Sequence, residues 1–175
     1  MIPPSKMRVV GIVRERFYVR SVIKSVTEMK NDTAMTELIF RLEVDDGWPP
    51  VMKECLVCTV GPSGYRVDVP PFFIKGLSVG DIISVNCDES GDVLSWSYVD
   101  RSGRSTVWIM VFDEYSIAEA VKCLRGLGCN VEELRQLQYF SIDIPEQCSL
   151  ESFDKCMDAI DEEKVAVAYP SLRHG

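Results

Sequence analysis

The spacing of apolar and polar residues changes character along this chain, and the change predicts two kinds of structure. From Glu37 to Val99, short runs that mix polar and apolar residues are separated by turn residues, which is typical of small antiparallel sheets. The alternation is clearest from Leu38 to Val44, as expected of a half-buried strand. The predicted strands are Glu37–Val44, Val51–Val60, Tyr65–Val69, Asp81–Cys87 and Val93–Val99.

The connections between these runs carry strong turn chemistry. Asp45-Asp46-Gly47, Gly61-Pro62-Ser63-Gly64 and the segment 88–92 are turn sequences, and Pro70-Pro71-Phe72-Phe73 forms a rigid apolar corner. Short strands at this spacing predict a small antiparallel β-barrel-like lobe or a strongly bent sheet over residues 31–100.

The second half of the chain has longer runs with helical spacing between them. Thr106–Phe112 is almost wholly apolar, as expected of a strand covered on both faces. A capping box at Ser116–Glu119 and a terminating Gly128 bound one predicted helix, and Ser149 caps a second. With strands at 129–132, 136–144 and 164–169, the order is β-α-β-β-α-β, which predicts a ferredoxin-like lobe over residues 101–175 and an α+β fold overall.

Charge divides the chain differently. Residues 1–30 carry seven Lys/Arg and two acids, a net charge of +5. Because the whole chain has a net charge of −8, residues 31–175 have a net charge of −13. The first thirty residues are therefore treated as a basic N-terminal extension, whose apolar positions fit a strand and an amphipathic helix equally well. The acidic remainder repels nucleic acid and anionic membranes and attracts basic surfaces.

Cysteine usage and hydropathy bear on location. No apolar run approaches the roughly 18 residues of a membrane-spanning helix, and no secretory leader is recognisable. Seven cysteines cannot all pair within one chain. We therefore expect a cytoplasmic protein whose thiols are reduced and mostly buried.

Motifs for catalysis, metals and cofactors are weak. Cys55 and Cys58 have the spacing of a metal or redox pair, but they fall within a predicted strand and point to opposite faces of it. The single histidine, His174, is the penultimate residue, where we expect a mobile side chain unsuited to catalysis. No phosphate-binding glycine loop is present. We expect no cofactor, no metal and no enzymatic activity.

Clusters of acidic residues support a hypothesis of partner binding more strongly than these motifs support catalysis. Asp161, Glu162 and Glu163 are predicted to lie at a helix C-terminus, where carboxylates oppose the helix dipole, so retaining them favours a role in binding. Trp48 is predicted either to cover one end of the barrel-like lobe or to serve as an exposed anchor. The proposed partner-binding set is Asp45, Asp46, Trp48, Asp88, Glu89, Asp92, Asp161, Glu162 and Glu163.

Several short strings together resemble one family. They are the segment Val44–Val51 with its Asp-Gly-Trp-Pro-Pro string, Tyr65–Asp68, Pro71–Phe73, Val79–Asp81, Ser105–Val107 and Leu127–Cys129. As a set they are similar to the bacterial family of the DUF4265 domain of unknown function, from about Leu38 to about Tyr169. The basic extension lies outside the resemblance, so Met29 and Met35 are alternative starts.

The resemblance implies little chemistry but suggests a class of partner. Small acidic bacterial proteins of this type are associated with immunity to secreted toxins. We therefore expect a non-catalytic acidic protein that occludes the cationic active site of a toxin domain, with no specific nucleic acid or membrane partner. The alternative is a regulatory protein whose ferredoxin-like lobe binds a small molecule. An enzyme using a carboxylate pair is a third, weaker possibility.

Overall fold

Two β-sheets and two α-helices make up the part of the molecule that the structure describes. This computed structural model describes residues 19–20 and 34–174, so the basic extension lies outside it except for the backbone of Val19–Arg20. The predicted α+β class is confirmed. The first sheet contains β1 (Val19–Arg20), β2 (Met35–Arg41), β3 (Lys53–Gly61), β4 (Gly64–Val67), β5 (Ile82–Cys87) and β6 (Val93–Asp100).

The strand pairings of the first sheet form a closed circuit. β3 pairs antiparallel with β2 and with β4, and β5 pairs antiparallel with β4 and with β6. β6 then meets β2 through one parallel pair, Phe40 with Val93, and β1 also lies parallel to β3. Within residues 31–100 the predicted antiparallel arrangement therefore has one parallel pairing that was not expected, between β2 and β6. The apolar cluster here includes Leu56, Cys58 and Ile83, all essentially inaccessible to solvent.

The second sheet has its two helices between its strands, in the predicted order β-α-β-β-α-β. Its strands are all antiparallel and lie in the order β10-β7-β9-β8. The elements are β7 (Ser105–Val111), α1 (Ala118–Gly126), β8 (Asn130–Leu134), β9 (Tyr139–Ile144), α2 (Leu150–Met157) and β10 (Val165–Ser171). The helices pack on the sheet through a core that includes Leu124, Ile142 and Phe153.

The helix ends agree with the sequence in part. Ser149 caps α2 by accepting a hydrogen bond from the Ser152 amide, as its position predicts. The predicted capping box of α1 does not form, because the helix begins later: Ile117 occupies the N-cap position and provides no side-chain cap. Gly128 follows α1 with a φ of 84°, the left-handed conformation in which glycine is least costly.

The two sheets meet at a buried strap, residues Pro70–Ile74, whose backbone polar groups are satisfied from both sides. The amides of Phe72 and Phe73 donate to the Glu54 carboxylate of the first sheet, at 2.6 and 2.9 Å. The Pro71 carbonyl accepts from Trp108 Nε1 at 2.7 Å and from Ser141 Oγ at 2.6 Å, both in the second sheet. Because buried backbone groups must be paired, the strap fixes the two sheets against each other.

The C-terminal tail adds a buried ion pair to the same junction. The side chain of Arg173, 7% exposed, forms a two-pronged contact with the fully buried carboxylate of Asp81. It also donates to the carbonyls of Gly76 and Ser102, each at 2.9 Å. Asp81 accepts in addition from two backbone amides, so both charges of this buried pair are compensated. Within the described residues, Arg173 Nε is a buried donor that has no hydrogen-bond partner.

A disulfide joins the helices. Cys123 of α1 is bonded to Cys156 of α2, 33 residues later, so the expectation that the thiols are all reduced is wrong for this pair. Cys55, Cys58, Cys129 and Cys148 are buried without a disulfide, and Cys87 is exposed. Sequence alone could not pair these residues, because the packing of α1 against α2 brings their Cα atoms to 5.6 Å.

Replacing Arg173 with alanine is predicted to destabilise the protein by about 3–5 kcal/mol, because Asp81 would remain buried as an unpaired charge. Denaturant unfolding measures the loss. The matched control is Arg101→Ala, since Arg101 is an exposed arginine resting over the Tyr98 ring, and its loss should cost less than about 1 kcal/mol. Equal losses in the two variants would contradict the importance assigned to the buried pair.

Reduction of the Cys123–Cys156 disulfide is predicted to lower stability by about 3–4 kcal/mol, the chain-entropy value for a closed loop of this length. The same loss is expected in a Cys123→Ser/Cys156→Ser variant, whose melting temperature should no longer respond to dithiothreitol. Cys87→Ser is the control, because Cys87 is an exposed thiol outside the disulfide. A wild-type protein whose melting is unaffected by reductant would refute the stabilising role.

Candidate functional site

Asp45, Asp46 and Trp48 lie on one tight turn after β2. Two backbone hydrogen bonds between Asp45 and Trp48, of 2.9 and 3.0 Å, close the turn, and Asp46 and Gly47 adopt left-handed φ values of 51° and 79°. Both carboxylates are exposed. Trp48 is half-buried and packs edge-on against Phe73 of the strap and Tyr139 of β9, with ring centroids 5.6 Å apart in each case. It therefore covers the junction between the sheets and keeps one part of its ring accessible.

Asp88, Glu89 and Asp92 lie on the turn between β5 and β6, where two of the three acids are already paired. Asp92 is only 3% exposed and contacts Lys53 Nζ at 2.6 Å and Arg41 Nε at 3.1 Å. The Lys53 hydrogen bond is the main cause of its lowered pKa. The pKa of Asp88 is also lowered, chiefly by its hydrogen bond with the Ser90 hydroxyl and in part by the charge of Arg41. We expected these acids to face solvent, but Asp92 is buried, so it is removed from the partner-binding set.

Asp161, Glu162 and Glu163 occupy a different helix end from the one predicted. α2 ends at Met157, and the acids begin a short 3-10 helix, Glu162–Lys164. Asp161 is its N-cap and accepts from the Glu163 amide at 3.0 Å. Carboxylates at an N-terminus complement the local dipole, so the predicted electrostatic cost does not arise. Their position therefore gives no electrostatic reason to expect a binding role, although all three side chains are exposed.

The turn after β7 brings further acids beside this 3-10 helix. Lys164 Nζ lies 3.5 Å from a carboxylate oxygen of Asp113, and the Asp161 amide donates to the Tyr115 hydroxyl at 3.1 Å. Tyr139, on which Trp48 packs, pairs with Met110 at the same end of β7. The 113–114 turn and residues 161–163 therefore lie together at this end of the second sheet, and Trp48 places the turn with Asp45 and Asp46 toward the same end. We call the exposed carboxylates there the acidic rim: Asp45, Asp46, Glu114, Asp161, Glu162 and Glu163.

The residues considered for catalysis and metal binding have structural contacts instead. Burial raises the pKa of Cys58 to about 12, which makes it a poor nucleophile. His174 is held in place, contrary to expectation: its Nδ1 lies 2.6 Å from Ser105 Oγ and its Nε2 lies 3.0 Å from the Pro145 carbonyl oxygen. Ser105 is fully buried, so the pair fixes the tail rather than presenting a nucleophile. Within residues 34–174 no three His, Cys, Asp or Glu side chains form a group able to hold a metal ion.

Among the described carboxyl groups with a shifted pKa, Glu54 is the one whose pKa is raised. It is 1% exposed, and burial raises its pKa to about 7 despite the amides that it accepts from. Perturbed carboxyls often mark active sites, but the polar contacts of Glu54 are all to the buried strap. Its environment is therefore that of a structural group.

A cavity of about 460 Å³ lies between α1 and the strands β8 and β9, and Tyr115 is one of its lining residues. Its floor is apolar, with Val111, Val121 and Phe140, and Lys122 and Arg125 line one side. No motif in the sequence predicts this cavity. The only local signal is the spacing of 118, 122 and 125 on one helix face, which is equally typical of a solvated surface.

Membrane-spanning segments were also considered. Over the described ranges, none of the helices has the length and hydropathy required to cross a bilayer.

Stability is predicted to fall as the pH rises from about 4.5 to about 7 through the contribution of Glu54. The folded protein holds this proton up to pH 7, whereas the unfolded chain releases it near 4.5, so the contribution is complete below 4.5. At about 1.4 kcal/mol per pKa unit the loss is about 3 kcal/mol. Denaturant unfolding of wild type and Glu54→Gln at pH 4.5 and 7.5 measures this loss. Because Gln does not titrate, the stability of the wild type relative to the variant should fall by that amount at the higher pH. Glu43→Gln, an exposed control, should show no such change, and a difference independent of pH would refute the assignment.

Comparisons with known proteins agree with this architecture. A hypothetical protein from Neisseria gonorrhoeae, known from its crystal structure, is similar in fold with a TM-score of 0.62. The similarity covers 82% of this chain and 98% of that chain at 14% sequence identity, so it concerns the fold alone. No significant match exists among curated proteins. The profile of the domain of unknown function DUF4265 matches residues 54–168, which begin in β3, include the strap and end within β10. The chain therefore belongs to the DUF4265 family.

Proposed function

We propose that this protein is a non-catalytic binding protein that docks a basic protein partner through the acidic rim. In its most concrete form, it is an immunity protein that neutralises a bacterial toxin by covering a cationic active site. The observation that carries the proposal is the gathering of exposed carboxylates at one end of the second sheet. Among the described residues, none of the six carboxylates of the rim forms an ion pair within the molecule.

The charge balance of the described body supports such a partner. Residues 34–174 contain 24 acids and 12 Lys/Arg. Most of those cations are already paired, including Arg41, Lys53, Arg104 and Arg173. The negative field at the rim is therefore not cancelled locally. Such a field increases the association rate of a cationic protein and disfavours nucleic acid and anionic membranes.

The rim also contains unusual backbone. Asp113 and Glu114 are consecutive non-glycine residues with left-handed φ values of 55° and 56°. This conformation costs of order 1–3 kcal/mol per residue and tends to occur at functional sites. Here it holds Glu114 at the exposed turn between β7 and α1, next to Asp161 and its neighbours.

Trp48 supplies an apolar anchor beside the charges. Its ring is fixed by Phe73 and Tyr139, so little side-chain entropy would be lost when a partner covers its exposed part. Tryptophan is enriched among the residues that dominate interface energies. The combination of a fixed aromatic group with surrounding carboxylates suits a partner that has a cationic cleft.

The same proposal extends to the finer description of the fold. The closed circuit of β2–β6 supports a barrel-like first lobe, spanning about residues 31–100. The strand order β10-β7-β9-β8, with both helices between strands, supports a ferredoxin-like second lobe, spanning about residues 101–175. In this description the rim lies at one end of the ferredoxin-like lobe, and Trp48 reaches it from the barrel-like lobe.

Charge reversal tests the docking surface. Asp161→Lys/Glu162→Lys/Glu163→Lys is predicted to slow association with the partner at least about tenfold at low salt and to weaken the salt dependence of the rate, because long-range attraction is lost. The partner would be the toxin domain encoded beside this gene, identified by co-purification and measured by stopped-flow binding.

Two controls make the result specific to the rim. Glu146→Lys changes an exposed acid beyond the far end of β9 and should leave the association rate within about twofold of wild type. Trp48→Ala should instead mainly increase the dissociation rate. If reversal of the rim acids leaves binding unchanged, the surface is wrongly assigned. If no basic protein co-purifies, the immunity function itself fails.

A second candidate is a regulatory protein that binds a small molecule. The cavity beside α1 favours it, since its volume lies within the range of about 300–1,000 Å³ that is usual for ligand sites. This function predicts a ligand-dependent melting temperature and does not require a toxin partner.

A further inference from the structure

The cavity beside α1 has a chemical character opposite to that of the rest of the surface. Lys122 and Arg125 line it, and neither forms an ion pair with a carboxylate of the described residues. Arg125 donates to the Val131 carbonyl at 3.2 Å, which orients its guanidinium without neutralising it. Uncompensated positive charge is therefore present in an otherwise acidic body.

The start of α1 adds backbone donors to the same cavity. Ser116, Ile117 and Ala118 line it, and the N-cap residue offers no side-chain acceptor to the first amides. The single local contact, from the Ala118 amide to Ser116 Oγ, is long at 3.4 Å. The first N–H groups of a helix have no intrahelical partners and favour an anionic oxygen. Ala118, Lys122 and Arg125 follow one another along one face of α1, so these donors and cations act on the same space.

The floor of the cavity requires an apolar group. Val111 and Phe140 come from the sheet, Ile117 and Val121 come from the helix, and Tyr115 closes the end nearest the acidic rim. The one carboxylate in the lining, Glu133, has Arg135 at 3.4 Å as its partner. A purely ionic ligand would leave this floor hydrated, whereas a purely apolar one would leave the cations unused.

We infer that this cavity binds a small molecule with an anionic head group and an apolar body. The head group lies at Lys122 and Arg125, and the body lies on Val111, Val121 and Phe140. The first amides of α1 favour negative charge at the neighbouring end of the cavity. The overall negative charge does not prevent this, because charges beyond about 8–10 Å are largely screened at physiological salt. The inference deepens the second candidate function and is independent of docking at the acidic rim.

Decanoate, decylammonium and decanol form a matched set of probes, since they share an alkyl chain and differ in the charge of the head group. Titration of each into the folded wild-type protein, followed by amide chemical shifts, should show decanoate perturbing the amides of 118–125 and binding at least tenfold more tightly than the other two. Lys122→Gln/Arg125→Gln should weaken decanoate binding at least tenfold. Lys75→Gln is the control, because Lys75 is exposed and lies outside the cavity lining.

Each outcome decides the inference. Equal binding of decylammonium, shifts confined to residues outside the cavity lining, or full decanoate affinity in the double variant would overturn it, and so would the absence of decanoate binding at millimolar concentration. The melting temperature of the double variant, measured without ligand, separates lost affinity from lost folding. Binding of the basic partner is a further measurement. If the double variant loses decanoate binding but still binds the partner, the cavity and the rim are separate sites. If wild-type protein binds the partner but not decanoate, only the cavity inference is overturned.

Discussion

The hydrogen bonds from the Phe72 and Phe73 amides to the buried Glu54 carboxyl group are the interaction on which the rest of the structure depends. The strap between the sheets has neither helical nor sheet partners for its backbone, and an unsatisfied buried polar group costs about 1–3 kcal/mol. Glu54 satisfies one side of the strap, and Trp108 and Ser141 satisfy the other through the Pro71 carbonyl. The sheets are thereby joined through a shared irregular segment that contains the acceptor contacts of a buried carboxyl group.

This junction also positions the groups proposed to bind partners. Phe73 of the strap and Tyr139 of the second sheet hold the ring of Trp48, so the turn with Asp45 and Asp46 is placed over that end of the second sheet. The Asp161 amide is tied to Tyr115, which also lines the cavity. Tyr115 is therefore shared by the acidic rim and the wall of the cationic cavity.

Much of the architecture follows from local sequence, because strand and helix ends are set by nearby residues. Alternation and turn residues predicted strands close to β2–β6, and Gly128 and Ser149 marked helix boundaries that the structure has. The errors occur where the ends are decided by longer-range packing. α1 begins after Ser116 rather than at it, and α2 ends before the acids at 161–163, which changes their electrostatic effect from unfavourable to favourable. The parallel contact between β2 and β6 joins distant segments and has no local signature.

By itself the sequence determined the acidic character of the body, the two-part pattern of elements and the family, because charge, periodicity and the residues that a family profile matches are read directly from the chain. Only the tertiary structure decided which of those residues are available. It buried Asp92 against Lys53, joined Cys123 to Cys156, and fixed His174 on Ser105. It also brought Lys122 and Arg125 to an apolar cavity. Each of these outcomes depends on contacts between residues that are far apart in the chain, and the free energy of such contacts exists only once the sheets and helices have packed.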